Sequence, residues 1–349
     1  MSSKNDASKV TIMVASPLED EHVARIRAYD TDRIEVLHEP DLLPTPRYVA
    51  DHNGIPKDLT PQQRQRWADG LRRADILFDF DRTDPANLPK NAPRLRWVQA
   101  TSSGIGEFLK RTGLDRSNIA FTTAAGVHAR PLTEFALLGL LYFFRDVPQL
   151  QALKQARHWE RYTVEGIDGK RALVVGMGAV GREVARQCAS FGMDVWGTRR
   201  SATADRPEGL SRWVEQGALR EALPEVDALI LACPMTEETR GLISAAHLDA
   251  LKPGAVLVNI ARGGVIDEEA MIRGLASGRI RGAALDVFAV EPLPQESPLW
   301  EMPNVIFSPH SASTVAAENS RIVDLFLDNL GHFLAGRDLK NRFVPERGY

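Results

Sequence analysis

Cysteine is scarce: the 349 residues contain two, Cys188 and Cys233. Two thiols build no disulfide framework, which fits a reducing compartment. Cys188 falls inside an apolar helical stretch and reads as a small core residue. An excess of charge of one sign is also lacking. Lys and Arg number 43 against 46 Asp and Glu, for a net charge of −3, so there is no basic footprint for nucleic acid. Long hydrophobic runs are missing too. The longest, Phe135 to Phe144, falls far short of the roughly 20 residues that cross a bilayer, and it reads as a buried helix. The opening stretch, Met1 to Ser8, is polar and has no apolar core of the signal-peptide kind. No short-period repeat or low-complexity tract stands out. The expectation is a cytoplasmic globular protein with neither membrane nor nucleic-acid partner. Its 44% apolar and 26% charged residues are ordinary for that class, and its length suggests two domains.

What is present is organised around Arg171-Ala-Leu-Val-Val-Gly-Met-Gly-Ala-Val-Gly. Leu173 to Val175 reads as a buried strand. Gly176, Gly178 and Gly181 then take the G-x-G-x-x-G spacing, with Ala179 and Val180 inside it. Val180, Val184 and Ala185 recur at helical spacing, so a helix opens within the motif. Strand, tight turn and helix are the context a dinucleotide site needs. The first glycine permits the turn, the second lets backbone approach a pyrophosphate, and the third lets helix pack on strand. The helix N-terminus offers unpaired N–H groups and a partial positive charge to that pyrophosphate.

One more absence bears on which dinucleotide. An NAD site expects an acid at the end of the next strand, to bind the ribose 2′-hydroxyl. Here Met193-Asp-Val-Trp-Gly leads to Thr198, Arg199 and Arg200. A guanidinium pair suits a 2′-phosphate, so NADP(H) is the expected cofactor, with NAD(H) as the alternative. The other reading makes both arginines solvated, with the ribose bound by backbone and Thr198.

Along the chain, strands and helices alternate twice. Lys9 to Ala15, Arg33 to Leu37, Ala74 to Phe80, Leu95 to Ala100 and Ile119 to Thr122 read as strands. Glu19 to Tyr29 is helical, and Thr60-Pro61 caps a helix that runs to about Arg73. Pro44 to Asp58 shows no period and reads as a loop excursion. A helical region from His128 through Arg145 toward Trp159 leads into the glycine motif. Beyond it, strands at Val226 to Ala232, Ala255 to Ile260, Gly282 to Val287 and Val305 to Ser308 alternate with helices capped by Ser244 and Asp267. Thr314 to about Ala335 is a final amphipathic helix. The expected fold is α/β, with two doubly wound parallel-sheet domains. The dinucleotide-binding domain spans 123–313, and 1–122 with 314–349 forms the other. A cleft between lobes is the default place for a substrate.

Three patterns downstream carry chemistry. Arg262 follows a strand end and precedes two glycines, where a guanidinium can grip a carboxylate and polarise a carbonyl. Asp286 stands at another strand end, and Glu291 on a proline-rich loop. His310 follows the last strand in Ser308-Pro-His. A histidine with a carboxylate partner can hold a proton near neutral pH and donate it. Together they describe a carbonyl-reducing site that needs no metal. Singly, each has a plainer reading: a surface arginine, a solvated acid, a capping histidine.

These stretches make the sequence resemble the D-isomer-specific 2-hydroxyacid dehydrogenases. The likeness runs from about Trp97 onward. It is densest in Gly166 through Gly181, Ala232 through Ile243, Leu251 through Glu269, Leu285 through Pro294, and Ser308 through His310. The resemblance implies a Rossmann domain inserted into a flavodoxin-like substrate domain, and a homodimer through the Rossmann domain. It implies Arg262 as substrate-binding residue, His310 as acid/base and Glu291 as its partner. Asp286 would meet the nicotinamide carboxamide. Cys233, Pro234, Thr239, Ile260 and Ala261 would line the cofactor site. Ser103, Gly104 and Ile105 would bind the substrate carboxylate. The expected activity is reversible hydride transfer between NADP(H) and a small 2-keto acid or D-2-hydroxyacid, running reductively, in the manner of glyoxylate or hydroxypyruvate reductases. Departures are Arg199 in place of the family's acid, Ile105-Gly-Glu after Gly104, and Thr133-Glu-Phe. A nucleotide-sensing corepressor of the same fold is the alternative of another class.

Overall fold

The computed structural model describes residues 9–199 and 206–346. The chain forms two compact units, Met1–Val127 with Thr314–Tyr349, and His128–Ser313. The division falls at 127/128, a few residues beyond the 122/123 read from the sequence. The physical reason is local: Ala124 is buried in the first unit's core, and the Thr123 N–H donates to the Asn341 carbonyl at 3.0 Å.

The first unit runs β1 (Val10–Val14), α1 (Asp20–Ala28), β2 (Ile34–Leu37), α2 (Pro61–Arg73), β3 (Ile76–Phe78), α3 (Leu88–Asn91), β4 (Trp97–Gln99), α4 (Gly106–Thr112) and β5 (Ala120–Thr122). The second continues with α5 (Ala129–Phe144), α6 (Val147–Gln155), β6 (Arg171–Val175), α7 (Ala179–Ser190), β7 (Asp194–Arg199), β8 (Leu210–Glu215), α8 (Leu219–Ala222), β9 (Ala228–Leu231), α9 (Ala245–Ala250), β10 (Ala255–Asn259), α10 (Glu268–Ala276), β11 (Ile280–Leu285) and β12 (Val305–Phe307). The closing helix α11 (Glu318–Leu334) returns to the first unit.

The first unit's sheet has the order β2-β1-β3-β4-β5, with every strand parallel to its neighbours. Its strands read as continuous apolar runs because both faces are covered. Ile12, Val14, Ile76, Phe78 and Trp97 pack against Ile322, Val323, Phe326 and Leu330 of α11. Phe326 meets Phe78 edge-on at 5.3 Å and stacks on Trp97 at 5.1 Å. A buried polar chain crosses the same layer. Trp97 Nε1 donates to Thr122 Oγ1 (2.8 Å), Thr122 Oγ1 to Gln99 Oε1 (2.9 Å), and Asn329 Nδ2 to the same Gln99 oxygen (3.1 Å). On α2, Thr60 Oγ1 accepts from the Gln63 N–H while Gln63 Oε1 accepts from the Thr60 N–H, with Pro61 at the first position.

The second unit's sheet is also parallel, in the order β12-β11-β10-β9-β6-β7-β8. The order reverses between β6 and β9, which is the topological switch of a Rossmann sheet. Helix α5 lies directly on the sheet: a Cβ on its Gly139 would stand 2.4 Å from Ala284 Cβ. The expected continuous helix toward Trp159 is broken at Asp146, whose φ of 52° splits it into α5 and α6. Helix α11 begins at Glu318 rather than Thr314. Strand β8 has no counterpart in the sequence reading. It is the edge strand, with Leu210 and Val214 inward and Ser211 and Arg212 exposed, too polar to stand out.

Candidate active site

The glycines of the motif are held to their places by contact. Gly176 has φ 101°, and a Cβ there would lie 2.5 Å from Cys233 Cα. At Gly181 a Cβ would come within 1.9 Å of the Gly176 carbonyl oxygen, so only glycine lets α7 approach β6 so closely. Gly178 caps α7 with open space at its Cβ position and no side-chain cap hydrogen bond. The helical ladder starts with Arg182 N–H to the Gly178 carbonyl at 3.0 Å. The N–H groups of Ala179, Val180 and Gly181 therefore precede it without intrahelical acceptors. A helix start after a glycine turn, at a sheet's switch point, fits a pyrophosphate.

Thr198, at the end of β7, accepts a hydrogen bond from the Gly176 N–H at 3.1 Å and so ties the second strand to the turn. Arg199 closes β7; its side chain lies outside the described residues, and so does Arg200. Cys233 is buried, and burial pushes its thiol up to about 11, so it is a neutral packing group. Thr239 is committed locally: its hydroxyl donates to the Pro234 carbonyl at 2.7 Å and accepts from the Thr236 N–H at 2.8 Å.

The loop after β10 is set by a residue that sequence reasoning missed. Asn259 is 1% exposed. Its Oδ1 accepts from the Ala261 N–H at 3.0 Å and its Nδ2 donates to the Arg262 carbonyl at 3.3 Å. Ile260 and Ala261 are buried beside it. Arg262 is half-buried and its Nη1 donates to the Ala261 carbonyl at 2.7 Å, which leaves other guanidinium donors for a ligand. At Gly263 a Cβ would fall 1.9 Å from the Phe288 carbonyl, so the arginine loop lies flush against the loop after β11.

That second loop carries the acid. Glu291 Oε1 accepts from the Phe288 N–H at 3.0 Å, and its Oε2 lies 2.7 Å from His310 Nδ1. Glu268 Oε2 holds the same loop through the Ala289 N–H at 2.9 Å, another contact the sequence did not announce. Asp286 is buried, and it organises the histidine's loop. Its Oδ1 accepts from the Ala312 N–H and its carbonyl from the His310 N–H, both at 2.9 Å. His310 itself is left-handed, with φ 53°, a conformation that turns the chain sharply after β12 and is uncommon outside glycine. The second unit thus brings Glu291 and His310 into contact and anchors Arg262 and Asp286 in adjoining loops. Ser103, Gly104 and Ile105 belong to the first unit, between β4 and α4. Ile105 is buried at the start of α4, and Ser103 and Gly104 are exposed.

With one nitrogen of His310 bound to a carboxylate, the other can exchange a proton with a ligand. An arginine, a histidine–carboxylate pair and a glycine turn on one parallel sheet are the parts that a carbonyl–carbinol redox site would need. Comparison with known proteins points the same way. Residues 137–312 match the family described as D-isomer specific 2-hydroxyacid dehydrogenase, NAD binding domain. A glyoxylate reductase of Korarchaeum cryptofilum is 32% identical over 290 residues, 80% of this chain and 86% of that protein. A D-3-phosphoglycerate dehydrogenase of Mycobacterium tuberculosis is 32% identical over 308 residues, 82% of this chain, which spans about half (55%) of that longer relative. The crystal structure of a D-isomer specific 2-hydroxyacid dehydrogenase from Xanthobacter autotrophicus Py2, in complex with NADPH and MES, has a TM-score of 0.78 at 26% identity, covering 98% of this chain and 100% of that one. By its matched sequence, its fold and the loops that pair His310 with Glu291, the chain belongs to the D-isomer-specific 2-hydroxyacid dehydrogenase family and is an NAD(P)-dependent enzyme.

Proposed function

We propose that the enzyme is an NADP(H)-preferring reductase of small 2-keto acids, yielding the D-2-hydroxyacid. The observation that carries this reading is the 2.7 Å contact between His310 Nδ1 and Glu291 Oε2. It leaves Nε2 to serve the substrate. Reduced nicotinamide, when bound, supplies the hydride that goes to the keto carbon. Arg262 binds the substrate carboxylate and polarises the keto oxygen. The family resemblance supports a further contribution to carboxylate binding from Ser103 and from the backbone N–H groups of Gly104 and Ile105. As the carbonyl becomes an alkoxide, His310 gives its Nε2 proton to that oxygen and takes one back from solvent. Glu291 holds Nδ1 and so orients the ring toward the substrate.

The cofactor preference rests on Arg199 and Arg200 after β7, where no acid stands. A 2′-phosphate would gain charge-assisted bonds there, each worth roughly 1.5–3 kcal/mol before solvent screening. A preference for NADPH supports the reductive direction. The family resemblance supports a homodimer formed through the second unit and a cytoplasmic location. Among the described residues no helix is long and apolar enough to cross a membrane.

The test is oxidation of NADPH and of NADH over a panel of 2-keto acids, beginning with glyoxylate, hydroxypyruvate and pyruvate. NADPH is expected to win by about two decades in kcat/KM. Arg199→Asp should reverse much of that preference. Equal efficiency with both cofactors in the wild type overturns the arginine reading, and no turnover of any 2-keto acid overturns the substrate reading.

A further inference from the structure

Helix α7 carries two arginines one turn apart, and the structure uses them differently. Arg186 turns to its own helix. Its Nε and Nη2 donate to the two carboxylate oxygens of Glu183 at 3.0 and 2.7 Å, and Gln187 adds a third bond to that acid at 3.0 Å. The Arg186 guanidinium holds the Glu183 carboxyl below the usual carboxylate range. The acid of this turn is thus committed to Arg186.

Arg182 turns the other way. Side chains on a helix lean toward its N-terminus, and this one leans past the helix start. Its Nε donates to the Met177 carbonyl at 3.2 Å, so the guanidinium rests on the glycine turn. A group carried by a helix and held at one nitrogen is placed more firmly than one on a loop.

The turn residue it grips is also the one that meets the neighbouring strand. A Cβ on Gly197 of β7 would stand 2.8 Å from both Cγ and Sδ of Met177. Met177 therefore lies against the last residues of β7, and Thr198 ties the same turn to that strand through the Gly176 N–H. In a Rossmann sheet the adenosine ribose lies beside this strand end, whereas the pyrophosphate lies at the N–H groups of the helix start. A Cβ on Gly178 would meet nothing within 4 Å, so Arg182 leaves the space at the helix start clear. A guanidinium beside the β7 end and out of that space suits an anion on the ribose.

We propose that Arg182 is a third arginine of the cofactor site, acting with Arg199 and Arg200 on the adenosine 2′-phosphate and so helping to select NADP(H) over NAD(H). The proposal rests on the NADP(H) reading given above. It adds a residue that comes from the helix rather than from the end of β7.

The experiment is equilibrium binding, by calorimetry, of NADP+, NAD+, 2′,5′-ADP and 5′-AMP to the wild type, Arg182→Gln and Arg182→Glu. The last two ligands differ only in the 2′-phosphate, and neither has a pyrophosphate. The wild type should bind the 2′-phosphorylated member of each pair about a hundredfold more tightly. Arg182→Gln should cut both ratios by about tenfold, the lower end for a hydrogen bond to a charged group, with NAD+ and 5′-AMP bound as in the wild type. Arg182→Glu adds repulsion and should cut the ratios at least as far; an acid in the first turn suits the helix. A wild type that prefers NADP+ while either variant keeps the full ratio overturns the Arg182 proposal and leaves the NADP(H) reading intact. So does a Gln variant that weakens NAD+ and NADP+ alike, which assigns the arginine to the pyrophosphate. A wild type that binds both members of each pair equally overturns both. If both variants lose all four ligands with a lowered melting temperature, Arg182 is a structural clasp on the turn and the proposal falls.

Discussion

In the proposed mechanism the chemistry turns on His310 and Glu291. His310→Gln should lower kcat by at least about a hundredfold, the usual scale of acid/base catalysis, and a variant with wild-type kcat removes the assignment. Glu291→Gln replaces the carboxylate beside Nδ1 with a neutral amide and loosens the ring's orientation for proton transfer. kcat should fall by about tenfold or more, and an unchanged kcat dissolves the pair. Arg262→Lys keeps the charge but loses the two-pronged fork; its kcat/KM should fall by about two decades or more, and near-normal values make Arg262 a surface charge. These three candidates stand out in the sequence because each lies in a short motif just past a strand or on the loop that follows one. Asn259 and Glu268 do not. Their work is to bond backbone N–H and carbonyl groups of neighbouring loops, and nothing in a residue's type says whose backbone it will meet. Asp286 stands out in the sequence as a candidate, yet its bonds to the His310 loop depend on how β11 and β12 lie side by side.

Among the elements, the excursion after β2 gave the least away in sequence. Period reveals helices and strands because it reports a buried face. This segment is held largely by the Asp51 carboxylate and the Thr45–Ile55 bridge, and neither leaves a period. The carboxylate is a lever that can be measured. The Arg47 guanidinium, aided by the Gly54 and Arg47 N–H groups, holds the Asp51 carboxyl well below the usual carboxylate range. Its folded-state pKa lies under its unfolded value of about 3.9, so its contribution is complete above that value and fades as the pH falls below it. Asp51→Asn should therefore cost about 1–3 kcal/mol at neutral pH. The gap from wild type, read by denaturant unfolding, should close progressively below about pH 4. A gap that persists into strong acid assigns the loss to packing. Strand β8 escaped notice for the opposite reason: an edge strand buries one face only, and its exposed Ser211 and Arg212 mask the alternation.

At the scale of the whole molecule, both parallel sheets were legible from the alternation of apolar runs with capped helices, as was the need for a C-terminal helix to complete the first unit. That helix brings Phe326 between Phe78 and Trp97 and Asn329 to Gln99. Phe326→Ala should destabilise the first unit by about 3–5 kcal/mol. Hydrogen exchange should quicken in β1, β3 and β4 while β6, β9 and β10 keep their protection; equal loss in both sheets refutes this division of the core. The same interleaving sets an order in time. The second unit is one uninterrupted stretch, His128–Ser313, whereas the first is written in two pieces on either side of it. On the ribosome the chain that starts first must wait longest. Its five strands emerge early, with one face of their sheet uncovered, and the nucleotide-binding unit can close before Phe326 has been translated. The nascent first half is then the stretch most exposed to chaperones, although in the finished protein its strands are among the best buried.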